Sequence, residues 1–305
     1  SPSSGFSTQY GNFGSMTNNG IELDLGWNAI KKDDFKLSTS INWSKNTNEV
    51  TDLFGTETIN LSPGASVSSR AIVGEQLGVL FGTGSQTNPD GSLLLNENGF
   101  PQITPSPIIL GDPNPEWRAG LGLNLNYKKL SLNVVVEHSE GGDFMPRTLW
   151  VLHRFGTTTA TSNRLTLSQD LVNYRGNTVT AGTTVRGNIR DFGAGPVLLD
   201  ENWYRTGIGG GFGDNQAYNF GVYDATFTKV RELSLSYLFD GNGLNTILGL
   251  DSILLTATAR NLININNVPG IDPETNQYGV GNALGLDYFT NPQTRSVLFT
   301  AAFNF

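Results

Sequence analysis

With 305 residues, a formal net charge of −8 and no cysteine, the chain excludes disulfide frameworks, thiolate chemistry and the basic face that nucleic acid requires. Hydrophobic residues make up 37%, and no stretch approaches the ~20 apolar residues of a membrane helix. Membrane-crossing strands stay open, because a strand alternating apolar with polar residues looks soluble on average.

Taken in chain order, period-two alternation predicts seven long strands. The first sets Ile21, Leu23, Leu25, Trp27 and Ala29 against Glu22, Asp24, Gly26 and Asn28. The second sets Phe35, Leu37, Thr39, Ile41 and Trp43 against Lys36, Ser38, Ser40, Asn42 and Ser44. The third carries Ala119, Leu121, Leu123, Leu125 and Tyr127 opposite Arg118, Gly120, Gly122, Asn124 and Asn126. Leu130, Leu132, Val134 and Val136 form one face of the fourth, with Ser131, Asn133, Val135 and Glu137 on the other. The fifth opposes Leu233, Leu235, Tyr237 and Phe239 to Glu232, Ser234, Ser236 and Leu238, and the sixth opposes Ile253, Leu255, Ala257 and Ala259 to Leu254, Thr256, Thr258 and Arg260. The last, RSVLFTAAFNF, presents Val297, Phe299, Ala301, Phe303 and the terminal Phe305 on one side.

Strands of ~10 residues, tilted, rise roughly 23 Å, near the ~25 Å apolar band of an outer-membrane barrel and longer than the ~5–6 residues of ordinary strands. Trp27, Trp43, Tyr127, Tyr237, Phe239 and Phe305 lie near strand ends, where an aromatic girdle belongs. Connections alternate short (Lys31 to Asp34, Lys128-Lys129, Asp240 to Leu250) and long, the pattern of periplasmic turns and external loops. The fold expected is all-β: an antiparallel transmembrane β-barrel with long extracellular loops. Seven is an odd count, and open edges are not tolerated in lipid, so residues 1–305 are expected to be the carboxyl-terminal portion of a larger barrel. A terminal strand ending in Phe299, Phe303 and Phe305 is expected to signal the outer-membrane assembly machinery.

Several segments, in order, resemble the SusC/RagA family of TonB-dependent outer-membrane transporters from Bacteroidota. They are SSGFSTQYGNFGSMTNNGIEL (Ser3 to Leu23), AIVGEQLGVLFG (Ala71 to Gly82) with Asp90-Gly91 after it, GDPNPEWRAGLGLNLNYKKLSLNVVVEHSEGGDF, and YDATFTKVRELSLSY (Tyr223 to Tyr237). The tail adds Ala259-Arg260-Asn261-Leu262, Gly270-Ile271-Asp272-Pro273-Glu274 and Gly285-Leu286-Asp287. The resemblance implies the final strands of a 22-stranded, plugged barrel, with the plug domain and TonB box not in this chain, a type that is not an enzyme. It further implies import of glycans, oligosaccharides or peptides, a SusD-like lipoprotein lid, and energy through TonB by way of the missing amino-terminal part.

Candidate contacts are few. His138 and His153 lack metal-ligand spacing and read as surface or loop histidines. No nucleophile, zinc or phosphate-loop motif occurs, and neither cofactor nor metal is expected. Gly209 to Gly213 reads as flexible loop, and Asn88-Pro89-Asp90-Gly91 as a turn. Trp150, Arg154, Trp203, Tyr204 and Arg205, all in the longest loop, suit substrate or partner contact; the opposing reading is that the aromatics pack the loop against itself. Glu22, Asp24, Arg118, Glu137, Glu232 and Arg260 should face the lumen, with water or plug residues for partners. The competing readings are an extracellular β-sandwich adhesin or glycan-binding module, and a β-rich polysaccharide-degrading enzyme, which would need a convergent carboxylate pair.

Overall fold

The computed structural model describes residues 14–62, 66–205, 216–279 and 281–305. The first part of the Ser3-to-Leu23 motif, the Gly209-to-Gly213 run and Asp214 lie outside the described residues.

Seven strands form one antiparallel sheet in which every strand pairs with its sequence neighbours. They are β1 (Ser15–Lys31), β2 (Phe35–Asp52), β3 (Trp117–Tyr127), β4 (Leu130–Glu140), β5 (Phe227–Asp240), β6 (Ser252–Asn266) and β7 (Ser296–Asn304). The sheet is a single layer. The seven ribbons do not stack as the two facing layers a sandwich adhesin would need.

Register decides which face each residue occupies, since directly opposed residues share a face. One row runs Trp27, Thr39, Leu123, Val134, Leu233, Ala259 and Val297 across all seven strands. The parallel rows below it are Leu37, Leu125, Leu132, Leu235, Ala257 and Phe299, then Phe35, Tyr127, Leu130, Tyr237, Leu255 and Ala301. The opposite face carries Gly26, Ser40, Gly122, Val135, Glu232, Arg260 and Ser296 in one row, and Asn28, Ser38, Asn124, Asn133, Ser234, Thr258 and Leu298 in the next. An apolar face and a hydroxyl- and amide-rich face are thus continuous over seven strands, as a wall between lipid and water demands. Hydroxyls bridge neighbouring strands on the polar side, Ser234 with Thr258 and Ser236 with Thr256, each at 2.9 Å.

At the short-turn end the apolar face becomes aromatic. Phe35 and Tyr127 meet edge-on at 6.3 Å, Tyr237 and Phe239 at 4.6 Å, and Phe303 lies in the same row as Ile253 and Phe239. Lys128 takes the left-handed turn conformation, φ 53°, that a two-residue connection between β3 and β4 requires.

Two details differ from simple alternation. Ala29, expected on the apolar face, is the extra residue of a bulge; Ile30 takes its place opposite Leu37. A second irregularity falls between Val230 and Glu232 on β5, opposite Asn261 and Leu262 on β6, and leaves Arg231 outside the ladder. Asn261 has φ 50° there, a left-handed conformation that asparagine tolerates better than most residues.

β1 and β2 also run far beyond the apolar band. Seventeen residues in β1 rise roughly 40 Å at the usual tilt, against the ~25 Å of lipid-facing surface. Polar residues Thr17, Asn18 and Asn19 pair with Glu49, Asn48 and Thr47 in this extension.

The dry core lies in the loops. Among the described residues, Val50 and Phe227 are the only buried apolar residues on the seven strands, both near the loop end. The first long loop folds as a four-stranded sheet, Thr58–Asn60, Val67–Ile72, Val79–Gly82 and Ile108–Gly111. In the second and third loops, Asp143–Pro146 is flanked by Tyr223–Asp224 and, in parallel, by Leu286–Asp287. Val67 and Leu80 from the first loop, Met145, Trp150 and Tyr218 from the second and Leu286 from the third form one buried cluster. The three long loops are therefore a single packed cap on one end of the wall.

Candidate functional site

Among the described residues, the longest loop contains three α-helices, α1 (Arg147–Phe155), α2 (Thr159–Ser162) and α3 (Glu201–Arg205). α1 ends on Gly156 in the left-handed conformation, φ 68°, whose N–H reaches the His153 carbonyl. The Thr158 hydroxyl accepts from the Thr161 N–H to start α2. Arg186 ties these turns together by donating to the Thr161 and Gly156 carbonyls.

Between α1 and α3 is a cavity of ≈ 430 Å³ lined by His153, Arg154, Arg186, Tyr204 and Arg205 among others. That volume lies within the ~300–1,000 Å³ of small-molecule sites. Arg154 donates to the Arg205 carbonyl at 3.1 Å, and Arg205 pairs with Glu201 at 2.5 Å. The Tyr204 hydroxyl accepts from Asn188 at 2.8 Å, and burial raises its pKa. Burial also lowers the His153 pKa, favouring the neutral imidazole, and its buried Nδ1 has no hydrogen-bond partner among the described residues.

The five expected contact residues divide here. Arg154, Tyr204 and Arg205 line the cavity. Trp150 and Trp203 are each 3% exposed and offer no free ring face. Trp150 lies 5.1 Å from the Tyr218 ring and directly on Gly221, where an added Cβ would come 1.7 Å from the indole nitrogen. Trp203 sits among Phe100, Tyr174, Phe192 and Phe220, with ring centroids 5.5–6.0 Å away. Phe100 comes from the first loop, so this aromatic cluster fastens one loop to the next. Both tryptophans pack the cap against itself.

Below the cap an ion cluster joins loop to wall. Lys229, 1% exposed on β5, meets Asp272 at 2.7 and 2.8 Å and also pairs with Glu274. Arg231, freed by the bulge, pairs with Glu274 and meets Glu137 at 2.7 Å. Asn264 donates to Asp272 at 3.1 Å and Gln293 to Glu274 at 3.2 Å. Burial pushes the Glu274 carboxyl up, but bonds and charge from Arg231 and Lys229 outweigh it and hold the pKa at about 2. Asp272-Pro273-Glu274 thus pins the last long loop to the strand wall. For Glu137 and Glu232 the expected water or plug partners give way to residues of this chain: Arg231 for the first, Arg260 at 3.2 Å for the second.

His138 also departs from expectation. β4 continues through it, and the ring stacks 4.8 Å from Trp117 while contacting Thr228 and Glu140. Phe299, Phe303 and Phe305 are exposed along the apolar face and at its end.

No family model matches the chain. It is 26% identical to TonB-dependent receptor P3 of Formosa agariphila over 99% of its own length and 30% of the receptor's. It is 30% identical to TonB-dependent receptor P26 of the same bacterium over 46% of its length and 16% of the receptor's. Structures of the RagAB peptide transporter and of the RagAB peptide importer in its open-open state each align with TM-score 0.63, at 18% and 17% identity, over 98% and 99% of this chain and 30% of theirs. The chain therefore spans about 30% of the length of these relatives. In sequence the chain is similar to TonB-dependent receptors, and its fold is the one found in the RagAB structures.

Proposed function

We propose that this segment of a SusC/RagA-type transporter supplies strands of the barrel wall and much of the external cap of a TonB-dependent importer. The observation that carries this reading is the sheet's division into one apolar and one polar face over seven strands, capped at one end by three co-packed loops. Alignment of nearly the whole chain with a RagAB transporter supports the same architecture. Strands beyond residues 1–305 complete the wall in this reading, around a plug that contacts TonB.

The cargo is an oligomer rich in hydrogen-bonding groups, a glycan, oligosaccharide or peptide, captured beneath a SusD-like lipoprotein lid. The matched RagAB structures are of a peptide transporter, and the cavity beside α1 and α3 presents guanidinium, phenol and imidazole groups suited to either cargo. Arg154, Tyr204 and Arg205 are the cargo or lid contacts, and Trp150 and Trp203 hold the helices that present them. Phe299, Phe303 and Phe305 present the assembly signal. The test is uptake of oligosaccharides and oligopeptides by cells carrying the full transporter, with and without a protonophore. Uptake should collapse when the proton gradient is removed; uptake that persists would refute TonB-dependent import.

A further inference from the structure

The apolar face is not uniformly bulky. In its short-turn half, Ala257 and Ala301 take outward positions surrounded by Leu235, Tyr237, Leu255 and Phe299, which share their rows or the adjacent ones. Two methyl groups among isobutyl and aromatic side chains leave a furrow of ≈ 380 Å³ on the lipid side of β4 to β7. Leu130 lines one end, immediately after the Lys128-Lys129 turn. Lys129 is paired with Asp240. Lys128 instead places its Nζ 5.6 Å from the centroid of the Tyr127 ring, and Tyr127 is the cross-strand neighbour of Leu130.

An apolar trough that ends beside a lysine at the membrane-water boundary matches the two parts of one ligand class. We infer that the furrow binds an acyl chain of a phospholipid in the periplasmic leaflet, with Lys128 holding the phosphate. The charge complementarity selects this occupant, because the cation lies at the end where the headgroups of that leaflet lie. The inference rests on the outer-membrane reading of the sheet.

The full transporter, purified in mild detergent and supplied with a phosphatidylethanolamine, provides the test through native mass spectrometry. Wild type should retain a lipid that Ala301→Leu, which fills the furrow floor, loses. Lys128→Ala should retain that lipid roughly fivefold less well, the effect of one interfacial lysine. Equal lipid retention by wild type and both variants would overturn the inference, as would a bound polypeptide that Ala301→Leu displaces instead. Should Ala301→Leu fail to fold, Lys128→Ala, which leaves the apolar face untouched, decides alone. Heat-modifiable migration of each folded barrel on gels is read in parallel. Its loss in wild type would strike the membrane reading itself, separately from the lipid result.

Discussion

Replacing Lys229 with methionine removes the cation at the centre of the cluster while keeping most of the side chain's volume. Lys229 is almost fully enclosed, and its Nζ contacts Asp272 twice and Glu274 once. Breaking a buried pair by deleting one partner costs about 3–5 kcal/mol, chiefly because the other charge is left uncompensated. The Glu274 carboxyl gives a comparable figure. Held at about 2 rather than 4.5, it corresponds to ~3 kcal/mol of stabilisation. At ~1.4 kcal/mol per tenfold, the equilibrium for releasing the last loop should rise by roughly two to three and a half orders of magnitude. Hydrogen exchange of residues 267–295 in the full transporter reads this directly, as lost protection confined to that loop. Because Glu274 is depressed in the folded state, its contribution is complete above about 4.5 and disappears as pH falls toward 2. Protection should therefore decline over that acid range in wild type and much less in Glu274→Gln. Adding Asp272→Asn to Lys229→Met should recover part of the loss, since one carboxylate no longer stands unpaired. Unchanged exchange in Lys229→Met would refute the reasoning.

Further perturbations test other parts of the molecule. Leu235→Arg puts a charge on the lipid face at a cost of about 2–4 kcal/mol if near mid-depth, and should sharply lower the heat-modifiable folded fraction; Ser234→Arg, one residue away on the polar face, should be mild, and equal effects would undo the facing assignment. Phe305→Ala, or deletion of β7, should lower surface levels of the transporter, and normal levels would count against the assembly role of the terminal strand. Gly221→Ala forces a methyl into the Trp150 indole, and should loosen the loop cap, measured as faster proteolysis of residues 141–226 while the barrel stays heat-modifiable.

How far the fold could be read from residues alone depends on where lipid imposes a pattern. Leu233, Leu235 and Tyr237 alternate with Ser234 and Ser236 because each would be costly on the other's side, so faces and turns in the apolar band were legible. Above the band that constraint lapses. Thr17, Asn18 and Asn19 pair as regularly as the residues below them, yet both faces meet water and nothing in the side chains marks a strand. Bulges escape for a related reason: Ala29 and Arg231 sit in stretches where alternation continues on paper while the ladder slips by a residue. That slip brings Arg231 to Glu137 and Glu274, partners 94 and 43 residues away in sequence.

The loops were the least legible. Their strands are two to six residues long, too short for periodicity to register. Residue type alone could not say whether Trp150 and Trp203 stack on a ligand or on Tyr218 and Phe100; packing against Gly221 and the neighbouring rings decides it. Asp272-Pro273-Glu274 stood out as a motif, but its chemistry appears only once Lys229 and Arg231 come within hydrogen-bond distance.

The most direct test of the wall starts from the absence of cysteine in these 305 residues, with any cysteine elsewhere in the transporter replaced by serine. Single cysteines introduced at 233 to 237 on β5 and 254 to 258 on β6 of the full transporter can carry spin labels in a bilayer, probed with oxygen as the lipid-soluble quencher and a nickel chelate as the water-soluble one. Labels at 233, 235, 237, 255 and 257 should respond to oxygen, and those at 234, 236, 254, 256 and 258 to the chelate. A profile without this two-residue period, or with its phase reversed, would contradict a sheet that faces lipid on one side and water on the other.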